Sequence, residues 1–193
     1  MPLIWDKRID QANVKARLNR LGLPKAAIYA LGCATHSRDV VLTSHQQPLH
    51  PTFLKAARLL DDFWTEYPES IEKTAFQNRL EIILDILPDE EQRVTEYPFA
   101  EDTWIDGIAA AFELAAMDDY SERAALYALN AVDRAYIFVY TFHHELDGMN
   151  KTEAEIRAVE SQSKFCVDEI EFQLGLLSVI ESSHEIPPNY AEM

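Results

Sequence analysis

Apolar residues recur every three or four positions along most of the chain, and proline, glycine and short polar stretches separate the runs; this pattern predicts an all-α protein. Ile9, Val14, Leu18 and Leu21 mark a first amphipathic helix over 8–21, with Gly22 as the residue that ends it. Pro24 suits the first turn of a second helix over 24–36, apolar around much of its girth. The segment 37–50 reads two ways, because Val40, Val41 and Leu42 fit either a helical turn or a short extended stretch. His50, Pro51 and Thr52 open a third helix, 52–66, with Phe53, Leu54, Ala57, Leu60 and Trp64 on one side. A fourth, over 69–87, sets Ile71, Ala75, Ile82, Ile83, Ile86 and Leu87 inward until Pro88 stops it.

An acidic connector spans 88–102 and leads into a fifth helix, 101–117, which is apolar on most faces and therefore expected at the centre. Asp118, Asp119 and Ser121 supply N-cap chemistry for a sixth helix over 120–146, again broadly apolar. Asp147 and Gly148 make a turn, and Asn150 with Glu153 fits a capping box at the start of a single last helix, 151–184. Short connections favour antiparallel neighbours. The expected architecture is a compact all-α helical bundle of six to seven helices with a central apolar helix pair, forming one domain over 1–186 and a short tail over 187–193.

With 193 residues and 48% hydrophobic content the chain can bury a core without disulfides or metal. Cys33 and Cys166 lie far apart in apolar helical stretches, where a thiol behaves as a small core residue. The first ten residues hold no apolar leader segment, and no apolar run reaches about 18 residues, so neither a secretory signal nor a transmembrane helix is expected and the cytoplasm is the expected compartment. The net charge of −16 is unevenly spread. Residues 1–60 carry nine Lys/Arg against three Asp/Glu, or +6, whereas 61–193 carry eight against thirty, or −22. Such a surface repels phosphate backbones and anionic lipid, so no nucleic acid and no membrane is expected as partner; a cationic protein is the electrostatically favoured one.

No Gly-rich phosphate loop, no GxSxG elbow and no HExxH is present, so no catalytic residue is singled out and the chain reads as a non-enzyme. Di-iron carboxylate bundles use two Glu-x-x-His motifs, and this chain has one match, Glu181 to His184. His143 and His144, followed by Glu145, point about 100° apart on a helix and do not share a face. His36, His45 and His50 surround the ambiguous segment without ligand spacing. No metal and no cofactor is expected.

The acidic stretch carries the candidate site. Twelve acidic residues lie between Asp85 and Glu122 against the single cation Arg93, and aromatic residues are interleaved with them. Aromatic anchors inside a like-charged rim form a protein-binding hot spot. On this reading Glu96, Glu101, Asp102, Asp106, Asp118 and Asp119 are contacts, with Tyr97 and Trp104 as anchors; the alternative is that Tyr97, Phe99 and Trp104 plug the core beside solvated loops.

Four segments together resemble a known family: LNRLGLPKAAIYALGCATHSR (18–38), ARLLDDFWTEY (57–67) with Leu60 and Trp64, the pair WIDGIAAAFELAAM (104–117) and SERAALYALNAVDRAYIFVY (121–140), and AVESQSKFCVDEIEFQLGLLSVI (158–180). They are similar to the YjaG-like bacterial family of unknown function, DUF 416. The chain departs from that pattern at Ile105, Asp106 and Gly107, where the family shows a Tyr-Pro-Ala step, and lacks its cysteine there. The resemblance implies a compact all-α fold and carries no catalytic residues. The resulting expectation is a non-catalytic acidic binding module of the immunity or antitoxin kind that masks a cationic effector such as a nuclease toxin. The alternatives are a cytosolic housekeeping or stress protein acting as a homodimer, and a metalloprotein built on histidine and carboxylate clusters.

Overall fold

The computed structural model describes residues 10–44, 48–68, 72–87, 99–118, 122–144 and 152–183. Within them lie eight helices and no strand: α1 Gln11–Leu21, α2 Leu23–Ser44, α3 Pro51–Glu66, α4 Lys73–Ile86, α5 Phe99–Ala116, α6 Glu122–His144, α7 Glu153–Gln162 and α8 Lys164–Ser182. The protein is an all-α helical bundle. No helix among the described residues is long and apolar enough to cross a membrane.

The centre is the α5–α6 pair, as the apolar girth of both segments predicts. Small residues let the two backbones approach. Ala124, Ala128, Ala131 and Ala135 recur by fours and threes along α6 and are all buried. Opposite them on α5, a Cβ added at Gly107 would lie 3.1 Å from Arg134 Cβ and 3.4 Å from the Ala131 carbonyl oxygen. The glycine is therefore set by close helix crossing. α2 packs on both central helices, α8 lies on α2 and α6, and α1 rests on α6 and α2. α4 sits at an edge, against α5 and α3.

Local chemistry explains the helix ends. The Asp10 side chain accepts the Asn13 N–H at 3.2 Å to start α1, and Gly22, at φ +78°, ends it in a conformation that glycine adopts without a Cβ clash. His50 Nδ1 accepts the Thr52 N–H at 3.3 Å, and Pro51 takes the first helical position of α3.

Three expectations change. The segment 37–44 is helical and continues α2, because Ser37, Arg38 and Val41 turn into the interior: the Arg38 guanidinium reaches Asp61 at 2.5 Å and the Ala57 carbonyl at 3.3 Å. The last helix is two helices broken at Ser163. Its hydroxyl accepts the Cys166 N–H at 3.4 Å, so a residue that stepped correctly in the periodicity acts as a cap. The capping box stands two residues later than read, on Thr152 and Glu155, where Glu155 Oε2 accepts the Thr152 N–H at 2.7 Å. Two residues assigned inward, Leu54 and Ile82, are 41% and 49% exposed. The expectations for 145–151, the Asp119–Ser121 cap and the tail after Ser183 fall outside the described residues.

α1 is tied to α8 by Arg17, whose Nη2 donates to Glu181 Oε2 at 2.7 Å while its Nε donates to both carboxylate oxygens. This fork holds the Glu181 carboxyl below its ordinary value of 4.5. A carboxylate whose folded value is depressed adds stability above 4.5 and loses it as pH falls through the folded value. In acid titrations followed by circular dichroism, wild type and Glu181→Gln are expected to differ at neutral pH and to draw together as pH falls below 4.5 and through the depressed folded value. A gap of zero at neutral pH, or one that widens as the solution is acidified, would refute this role.

Candidate functional site

The structure disperses the residues that the sequence grouped between 85 and 122. Glu96, Tyr97 and Asp119 lie outside the described residues. Trp104 is 1% exposed and is no surface anchor: its indole N–H donates to the Ala34 carbonyl at 2.9 Å, and its ring packs on Phe53 and Phe138. Glu101 is also buried and accepts the His50 N–H at 3.0 Å, which joins the start of α5 to the cap of α3. Burial raises its carboxyl, and the His50 bond partly offsets that rise. Asp106 pairs with Arg134 of α6 at 2.8 Å. Asp102 is half-buried, and Asp118, although exposed, pairs with Lys73. The helix expected to present a partner site spends its side chains on holding the bundle together.

Two other constellations emerge. The first is a buried polar cluster across α2, α6 and α8. Glu169, fully buried, receives His36 Nδ1 at 2.6 Å and Gln173 Nε2 at 2.9 Å, and Gln173 also donates to the Val132 carbonyl at 3.1 Å. The His36 ring lies flat on Phe172, with centroids 3.7 Å apart. Beside them Cys33 is fully buried, and desolvation first, then the Glu169 charge, pushes its thiol well up. Cys166 is raised in the same way by burial. Thiols so placed are poor nucleophiles and fill space. The Tyr136 hydroxyl donates to buried Glu160 at 3.2 Å. Nothing in the sequence pattern singled out Glu169: its i, i+4 spacing to Gln173 was legible, but His36 is 133 residues away.

The second is the outer face of α4. Phe76, Arg79 and Ile83 face inward. The exposed residues Thr74, Gln77, Asn78, Glu81, Ile82, Leu84 and Asp85 cover one continuous arc of about 160° at 100° per residue. Leu84, 54% exposed, and Ile82 form its edges, and Glu81 and Asp85 lie between them. The two cations of α4 do not neutralise these acids: Arg79 is buried over the Phe63 ring and paired with Glu66 at 2.6 Å, and Lys73 is held by Asp118. Asp62 on α3 and Glu72, the cap of α4, are exposed as well.

Among the described residues no group of three or more His, Cys, Asp or Glu side chains is arranged to hold a metal ion. His143 stacks on Phe165 at 3.7 Å and lies 3.4 Å from the Ser44 hydroxyl, Glu181 is engaged by Arg17, and His184 and the side chain of His144 lie outside the described residues.

Comparison with protein-family models, with curated proteins and with solved structures returned no match. The class that fold and surface define is an all-α bundle with a buried polar cluster and an acidic, partly aliphatic edge helix.

Proposed function

We propose that this protein is a non-catalytic, cytoplasmic binding module that uses the outer face of α4 to hold a cationic protein partner, in the manner of an immunity protein or antitoxin covering a basic effector such as a nuclease toxin. The observation that carries this reading is the α4 arc, where Glu81 and Asp85 stand between two exposed aliphatic side chains while the neighbouring cations are turned inward or paired. Aliphatic contacts of this kind lose water on binding, and the acids steer a basic surface towards them. The contact set read from the sequence moves accordingly, from α5 to α4, and Asp118 of that set pairs with Lys73 at the start of α4.

The test is a tagged pull-down from the native host at low and moderate salt, run in parallel with wild type and the double variant Glu81→Lys/Asp85→Lys. One stoichiometric basic protein bound by wild type, at least about tenfold weaker on the variant and weakened by salt, is the expected result. Equal capture by both proteins would refute the assignment of this face.

A second reading rests on α1, which carries Lys15, Arg17 and Arg20 and no acid, on a helix that packs against α6 and α2 rather than near α4. The α1 edge of one copy could then meet the α4 face of another. Sedimentation at rising protein concentration separates the readings: self-association abolished by salt and by the same double variant favours the homodimer.

A further inference from the structure

A cavity of about 370 Å³ opens where the end of α1, the start of α2 and the end of α8 meet, lined by Arg20, Leu21, Lys25 and Glu181. That volume is in the range of small-ligand sites. Its charge is opposite to that of the chain as a whole. Glu181 is already neutralised by the two-pronged Arg17 contact, which leaves Arg20 and Lys25 as surplus cations. Arg20 is little used: its side chain is 69% exposed, and its ion contact is a long 3.8 Å approach to the Glu181 oxygen that Arg17 already occupies. Lys25 donates to the Ser183 carbonyl, and so holds its ammonium at the cavity wall.

One further feature points the same way. The cavity adjoins the amino-terminal turn of the 22-residue helix α2, whose dipole favours an anion.

We propose that this cavity binds a small phosphomonoester, with the phosphate taken by the Arg20 guanidinium, the Lys25 ammonium and the α2 amino terminus. A guanidinium and an ammonium meeting a helix start are complementary to a tetrahedral dianion. The Glu181 carboxylate, fixed by Arg17, gives the cavity an acceptor for a hydroxyl of the ligand, and Leu21 supplies an apolar side. The site shares no element with the α4 face.

Isothermal titration and thermal-shift measurements on the full chain with glycerol 3-phosphate test this, with glycerol and inorganic phosphate as comparators. Saturable binding of glycerol 3-phosphate is expected. It should weaken about tenfold or more in Arg20→Ala, stay unchanged in Arg58→Ala on α3, and exceed the binding of either comparator. Arg20 is largely exposed, so its removal tests the site without threatening the fold. No saturable binding at about 10 mM glycerol 3-phosphate, undiminished binding by Arg20→Ala, or equally tight binding of inorganic phosphate would each overturn the proposal.

Discussion

Trp104→Ala is expected to destabilise the protein by about 3–5 kcal/mol, the range for emptying a large aromatic site in a closed core. The indole is 1% exposed and wedged between Phe53, centroids 4.6 Å apart, and Phe138, at 5.8 Å, so three helices meet on one ring system. Its N–H also satisfies the Ala34 carbonyl of α2, at 2.9 Å. Trp104→Phe separates the two contributions. It keeps much of the packing, loses the hydrogen bond and part of the volume, and is expected to cost about half as much. Urea unfolding followed by circular dichroism gives both numbers. A loss below about 1 kcal/mol for Trp104→Ala would place the ring at the surface and revive its reading as a partner anchor.

Glu169→Ala is expected to have the next largest effect, about 2–4 kcal/mol, for a different reason. Little apolar volume is lost, but His36 Nδ1 and Gln173 Nε2 lose their acceptor inside the bundle. Breaking one side of a buried polar pair costs more than removing both sides, because the orphaned partner keeps its desolvation penalty. The double variant His36→Phe/Glu169→Leu should therefore recover part of the loss, since a phenyl ring can remain stacked on Phe172. A thermodynamic cycle over His36→Phe, Glu169→Leu and the pair should show coupling of about 1–3 kcal/mol. Additive effects would show that the 2.6 Å contact contributes nothing to holding α2 on α8.

Both sites bear on how far the candidate interface was legible beforehand. Trp104 and Glu101 lie in a stretch dense with acids, and composition alone suggested a surface there. A carboxylate every few residues reads as solvated. Yet Glu101 faces the backbone N–H of His50, the cap of α3, and Asp106 faces Arg134 of α6, partners 51 and 28 residues away. Conversely, Ile82 and Leu84 look like core residues by type, and periodicity placed Ile82 inward with Ile83. Only one of two adjacent helical residues can point fully at a neighbour, and α4, lying at an edge, has neighbours on one side. The break at Ser163 was hidden for a related reason: a serine is compatible with a helix interior and with a cap, and its local bond to the Cys166 N–H decides between them.

By itself, then, the sequence determined the helical class, the helix boundaries marked by Gly22, Pro24 and Pro51, the burial of both cysteines and the α5–α6 pair as the centre. These follow from local backbone preference and from apolar residues recurring with the helical period, quantities that a linear chain carries in full. The tertiary structure alone decided which charges are spent inside and which remain outside, the His36–Glu169–Gln173 cluster, the acidic arc of α4 and the cavity at Arg20 and Lys25. Each depends on pairing side chains from distant segments. In a bundle that pairing is set by which helix faces meet, a choice that the helical period of any single segment does not contain.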